Sequence, residues 1–208
     1  MYCLAVIIWS FETFCKFHSL TTTSTLSLPS LTTLYLANVT LCNESNDDQS
    51  AGVFSECPNL KNLIIDSVEV KGLDVLDICL PLLSDLTLIY VIGSLIGVNV
   101  VAPQLKNLTI RHYKKDLQYK ISAPDLSSLR YNGYHPLRLF TKGFSSLEKV
   151  YLVVFGEDAA YAHRMLRLLQ QLQSAKFLTL SIEIVEIYPE NVDFNEQAEK
   201  KVDMSMEV

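Results

Sequence analysis

Apolar residues recur along this chain in one phrase: a proline, a spacer, then Leu-x-x-Leu-x-Leu or a near variant. The phrase starts at Pro29 (Leu31, Leu34, Leu36), Pro58 (Leu60, Leu63, Ile65), Pro81 (Leu83, Leu86, Leu88) and Pro103 (Leu105, Leu108, Ile110). Looser copies follow at Pro124 (Leu126, Leu129, Tyr131), Ser145 (Leu147, Val150, Leu152) and Ser174 (Ala175, Leu178, Leu180). The middle apolar positions, Leu34, Leu63, Leu86, Leu108, Leu129, Val150 and Leu178, lie 21 to 29 residues apart. The last two apolar residues of each phrase are two apart, so an extended strand turns both to one face. One such strand is too short to bury that face alone, and stacking the copies in parallel gives them a shared core. The pattern therefore predicts an α/β leucine-rich-repeat solenoid, a right-handed β-α superhelix with a parallel concave sheet of about seven short strands. A proline without an N–H is tolerated at a strand's first position, so each proline is read as the start of a strand.

Between strands the chain must leave and return. Residues 72–80 carry apolar positions compatible with a short helix or an irregular return, and helical turns of variable length are expected on the convex side. The long first interval contains a polar run at residues 43–50, read as a solvated loop. The long last interval contains an apolar stripe at helical spacing, Ala159, Ala162, Met165, Leu166, Leu169 and Leu172, with Asp158 placed as N-cap.

The chain has 208 residues, of which 49% are hydrophobic, enough to bury a core in one domain. Its organisation is read as an apolar capping segment over residues 1–25, the repeat domain over 26–187 and a loose acidic tail over 188–208. The first residues are apolar, but no Lys or Arg precedes them and Glu12 interrupts the run. That pattern fits a first strand or cap over the end of the solenoid better than a secretion leader or a membrane span. The formal charge of -6 and the absence of a basic stripe argue against nucleic acid as a partner. Five cysteines, Cys3, Cys15, Cys42, Cys57 and Cys79, form no Cys-x-x-Cys pair and are read as reduced, mostly buried thiols. A cytoplasmic or nuclear protein follows from that reading. The glycosylation patterns at Asn38, Asn43 and Asn107 are read as chance matches, Asn107 falling inside a predicted strand. An extracellular repeat protein or receptor fragment is the alternative, and it requires a cleaved leader and used glycosylation sites.

No catalytic constellation stands out. His18, His112, His135 and His163 include no pair at zinc-helix spacing, and the chain has no nucleophile elbow and no phosphate-cradling glycine loop. The adjacent carboxylates Asp47-Asp48 and Glu157-Asp158 fall in or near predicted loops and read as solvated charge. No cofactor, no metal and no enzymatic activity are expected. The credible functional surface is the strand face opposite the core, where alternation places Tyr35, Asp66, Asp85, Arg111, Arg130, Lys149 and Tyr151 as the candidate partner contacts. Aromatics, amides and both charge signs together suit protein recognition.

Several phrases resemble the irregular repeats of the plant F-box/LRR family, including members with a carboxy-terminal FBD region. They are Leu28-Pro29-Ser30-Leu31-Thr32-Thr33-Leu34-Tyr35-Leu36, Cys57-Pro58-Asn59-Leu60-Lys61-Asn62-Leu63, Ala102-Pro103-Gln104-Leu105-Lys106-Asn107-Leu108 and Ala123-Pro124-Asp125-Leu126. The helix ending at Leu172 before Ala175-Lys176-Phe177-Leu178-Thr179-Leu180-Ser181 is similar to the family's final segment. The resemblance spans residues 26–187 and implies the substrate-recognition repeats of a ubiquitin-ligase receptor, with a protein substrate on the concave face. Nothing before Ser27 resembles an F-box, and a full FBD region is missing after Tyr188. A ligase adaptor is therefore expected as a partner only through an F-box outside this chain.

Overall fold

The computed structural model describes residues 18–21, 28–42, 53–114, 117–141, 144–155 and 159–183. The elements are β1 (His18–Thr21), β2 (Thr33–Ala37), β3 (Val39–Cys42), β4 (Asn62–Asp66), β5 (Glu69–Lys71), β6 (Val75–Cys79), β7 (Asp85–Ile89), β8 (Ile92–Gly93), β9 (Gly97–Val101), β10 (Asn107–His112), β11 (Gln118–Ser122), β12 (Ser128–Gly133), β13 (Arg138–Phe140), β14 (Lys149–Phe155), α1 (Ala159–Gln171) and β15 (Phe177–Glu183). Their pairing makes a parallel β solenoid of stacked coils. A seven-stranded sheet in the order β15-β14-β12-β10-β7-β4-β2 forms one side, and two four-stranded sheets, β1-β3-β5-β8 and β13-β11-β9-β6, form the others.

The repeat phrase sets the register of the large sheet. Leu34 lies opposite Leu63, Leu63 opposite Leu86, Leu86 opposite Leu108, Leu108 opposite Leu129, Leu129 opposite Val150, and Val150 opposite Leu178. From Leu34 to Val150 these side chains are buried in one continuous core. Each buried leucine contributes roughly 2 kcal/mol of transfer free energy, and a one-residue slip would turn the whole set outward.

The returns differ from the expected helical turns. Residues 75–79 form β6, with Leu76 and Ile78 buried and Val75 and Cys79 exposed. Apolar residues at alternate positions satisfy a strand, and β6 gains parallel partners in β9 and, beyond it, β11 that a lone helical turn would lack. Among the described residues α1 is the sole α-helix, so the alternating β-α superhelix is corrected to a solenoid whose sides are mostly strands. In α1 Met165 and Leu168 are buried and Leu169 packs half-buried against the core, with Leu172 buried just past the helix and Leu166 exposed. The inward face thus keeps most of the expected stripe and is turned from Leu166 toward Leu168. Gln171 Nε2 donates to the Leu139 carbonyl at 3.1 Å and Ser174 Oγ to that of Phe144 at 2.5 Å, which fixes that orientation. Asp158, the polar run at 43–50, residues 1–17 of the apolar segment and the acidic tail lie outside the described residues. His18–Thr21 of that segment pairs in parallel with β3.

The prolines also take a different role from the one expected. Each precedes its strand by four positions and occupies the second residue of a tight turn. The N–H groups of Leu31, Leu60, Leu83, Leu105 and Leu126 donate to the carbonyls of Leu28, Cys57, Leu80, Ala102 and Ala123 at 3.0 to 3.3 Å. Proline's fixed φ presets that turn position, which explains its recurrence better than a missing ladder donor. After every turn one carbonyl accepts two N–H groups from the next coil: Thr32 from Lys61 and Asn62, Lys61 from Ser84 and Asp85, Ser84 from Lys106 and Asn107. Lys106, Ser127 and Glu148 continue the series, all within 2.8 to 3.1 Å.

At the far end of the first three large-sheet strands, Asn38, Ser67 and Tyr90 turn the chain with φ of 53°, 52° and 48°. Their N–H groups donate to Asp66, Ile89 and Arg111 of the following coil at 2.9 to 3.1 Å, which offsets the cost of a left-handed non-glycine residue. The next corner uses glycine. Gly93 has φ of 117°, and a Cβ there would lie 2.0 Å from the Val70 carbonyl oxygen. Gly93→Ala is expected to lower stability by more than about 2 kcal/mol, read as a fall in the urea midpoint at unchanged slope. A loss below about 0.5 kcal/mol would show that the β5–β8 contact can open without cost.

Candidate functional site

The outer face of the seven-stranded sheet is built by alternation. Its first column reads Thr33, Asn62, Asp85, Asn107, Ser128, Lys149 and Phe177, and its second Tyr35, Ile64, Thr87, Thr109, Arg130, Tyr151 and Thr179. The third holds Ala37, Asp66, Ile89, Arg111, Asn132, Val153 and Ser181. All seven sequence-predicted contacts lie on this face, but they form two groups.

The acidic group is internally satisfied. Tyr35 Oη donates to Asp66 Oδ2 at 3.4 Å, and Ser67 Oγ donates to Asp66 Oδ1 at 3.0 Å. Burial, with the Asp66 carboxylate beside it, pushes the Tyr35 hydroxyl pKa up, so it remains a donor. Asp85 accepts from Ser84 Oγ at 2.5 Å and from Asn107 Nδ2 at 2.7 Å. Asn62 Nδ2 donates to Thr33 Oγ1 at 3.1 Å, extending the polar ladder toward β2.

The cationic group is open. The Arg130 guanidinium lies 5.3 Å from the centroid of the Tyr151 ring, within cation–π range. Arg130, Lys149 and Tyr151 are exposed and Arg111 is half-buried. Beside Lys149, Phe177 is 66% exposed, an apolar contact that the candidate set omitted. Its place opposite Lys149 in the repeat alignment was a signal for it.

A second omission is an aromatic row at the sheet's exit edge. Ring centroids are 5.0 Å apart for Tyr90 and Tyr113, 4.8 Å for Tyr113 and Tyr134, and 5.4 Å for Tyr134 and Phe155. Tyr90 and Tyr113 also share a hydroxyl hydrogen bond of 3.1 Å. Burial raises the Tyr113 and Tyr134 hydroxyls above their ordinary range and keeps them neutral. These aromatics recur at the period of the leucines, which made them legible as a row. Next to it, Asn132 Oδ1 is buried without a hydrogen-bond partner, and Val153 is buried although it points outward.

Behind the face, where the β1-β3-β5-β8 sheet stops, Lys114 Nζ donates to the carbonyls of Gly93 at 3.0 Å and Leu95 at 2.6 Å. His112 is buried, its Nε2 donating to the Lys114 carbonyl at 2.5 Å, its ring edge-on to Tyr119 at 6.0 Å. A carbonyl only accepts, so the Nε2–H tautomer follows. His112, Lys114, Tyr131, His135, Arg138 and Arg164 line a small hollow here. Among the described residues no three His, Cys, Asp or Glu side chains converge as metal ligands, and no helix is long and apolar enough to cross a membrane. Cys57 is buried, whereas Cys79 is exposed, against the expectation of buried thiols.

Comparison of the chain with protein-family models, with curated proteins and with solved structures returned no match.

Burial pushes the His112 pKa down to about 4, its bond to the Lys114 carbonyl pulls it up, and the Lys114 ammonium and His135 add to the depression. The unfolded chain takes up a proton at this site below its ordinary 6.5, but the folded chain only below about 4. Stability is therefore expected to fall by on the order of 3 kcal/mol as pH drops through that window. Urea titrations at stepped pH check this, with His112→Gln, which keeps a donor but does not titrate, losing that part of the slope. Parallel slopes for the two proteins would refute it.

Proposed function

We propose that this chain is a non-catalytic protein-recognition module of leucine-rich-repeat type, which binds its partner on the outer face of the seven-stranded sheet. The observation that carries the reading is the exposed Arg130–Tyr151 stack, bordered by Lys149 and Phe177. Arginine and tyrosine held rigid by a sheet lose little conformational entropy on binding, and both are enriched among residues that dominate interface energies. An in-register strand face also offers a partner many side chains at fixed spacing.

The seven in-register phrases support a leucine-rich assignment, and their wording supports kinship with the substrate-recognition repeats of plant F-box ubiquitin-ligase receptors. The strand-built returns are a departure from regular β-α repeats. On this reading the chain selects a protein substrate, and a ligase adaptor is a partner only if an F-box lies outside this chain.

The double variant Tyr151→Ala/Phe177→Ala tests the surface. Tagged wild-type and variant chains are used to capture proteins from plant-cell lysate, with recovery compared by quantitative mass spectrometry. The variant is expected to recover the specific partner about tenfold less, while keeping the wild-type circular dichroism and melting profile. Equal recovery by both chains would overturn the assignment of this face.

A further inference from the structure

We infer that the outer face takes an extended acidic peptide segment, laid obliquely across β10, β12 and β14, with carboxylates at alternate positions followed by an apolar residue. This deepens the recognition reading and rests on it.

Arg111 is the fifth residue of β10, Arg130 the third of β12 and Lys149 the first of β14. The three cations therefore step back by two residues for each strand crossed and lie on one diagonal. With strands roughly 4.8 Å apart and two residues spanning roughly 6.6 Å, successive Cα atoms on the diagonal are about 8 Å apart. An extended peptide presents side chains on one face every 6.6 to 7 Å or so, a spacing that flexible Arg and Lys side chains can meet.

Charge gives the sign of the partner. Among the described residues none of these three cations has an acidic side chain within ion-pair distance; the one described lysine near them that does is Lys176, held by Glu148 at 2.7 Å. The acids on the same face, Asp66 and Asp85, already accept hydrogen bonds from their neighbours. A partner's carboxylates thus gain at the cationic diagonal, and its cations gain less at the acidic end. In a chain of net charge -6, three cations bounded by Asp66 and Asp85 favour a short acidic segment over a continuous phosphate backbone. Phe177, in register with Lys149, supplies an exposed apolar contact where the diagonal ends.

The test uses the full chain and a fluorescein-labelled peptide of about ten residues, with three Glu at alternate positions followed by Phe. Its controls are the same peptide with Gln for each Glu and an oligothymidylate of similar length. Fluorescence anisotropy is expected to show the Glu peptide binding about tenfold more tightly than the Gln peptide, an advantage that shrinks as salt is added. Arg111→Glu, Arg130→Glu and Lys149→Glu are each expected to weaken it by about three- to tenfold, with the melting profile unchanged. Equal binding of the Glu and Gln peptides, tighter binding of the oligothymidylate, or indifference to all three reversals would overturn the inference. If that happens while lysate capture still depends on Tyr151 and Phe177, the recognition surface stands and its acidic ligand alone is lost. If both dependences vanish, the recognition reading falls with it.

Discussion

Each coil is completed by the coil beside it, and this mutual satisfaction of backbone groups is the constraint from which the structure follows. A strand pairs none of its own N–H and C=O groups, and one with a single neighbour still leaves about half of them open; burying them unpaired is costly. Parallel stacking pairs them only if every coil returns to the same register. The tight turns headed by proline, the carbonyls that accept twice, and the left-handed corners at Asn38, Ser67 and Tyr90 all serve that return. The apolar ladder supplies much of the driving force, but the hydrogen bonds decide which alignment it takes.

The same constraint explains where the pattern changes. In the first coils a corner residue sends the chain into the β1-β3-β5-β8 sheet, which ends at β8. β10, β12 and β14 instead run on past that corner. The consequence on the outside is the row Tyr113, Tyr134 and Phe155, carried on the longer strands or just beyond them. The consequence on the inside is a position filled by His112, opposite Gly133, where a Cβ would lie 2.3 Å from the His112 carbonyl oxygen. Lys114 then reaches the carbonyls of Gly93 and Leu95 that another strand would otherwise meet. Such a cap also blunts an open sheet edge, which is a template for unwanted pairing.

How much of this could be read in the residues depends on the range of the interaction. Period-two alternation is local, so the seven strands and the residues facing either side were legible, and the shared buried face was legible from Leu34 to Val150. In the seventh strand, at the sheet's end, Leu178 and Leu180 are exposed. The returns were not, because residues 72–80 carry apolar spacings compatible with either a helical turn or a strand. Only a neighbouring coil in register with Val75–Cys79 decides between them. The rotation of α1 was hidden for a similar reason: Leu166 and Leu168 are equally apolar, and contacts made by Gln171 and Ser174 to other coils choose between them. Among the surface candidates, position was legible and engagement was not. Nothing in the local sequence marks Asp66 and Asp85 as already hydrogen-bonded, or Arg130 as stacked on Tyr151.

That distinction between position and engagement separates the halves of the face. A carboxylate holding two donors, as Asp66 and Asp85 do, must give up or share those bonds to receive a partner, so its net gain is small. A cation with no carboxylate within ion-pair distance has no such bond to give up, so more of its electrostatic reach is left for a partner. Arg130 is already oriented by the Tyr151 ring, so part of the entropy normally lost in fixing a long side chain is lost in folding. On the recognition reading proposed above, both effects would concentrate binding on the β10–β14 side, although the residue types alone would spread it across the whole sheet. The repeat thus arranges its outer residues evenly, and it is their hydrogen bonding to one another that makes the surface uneven.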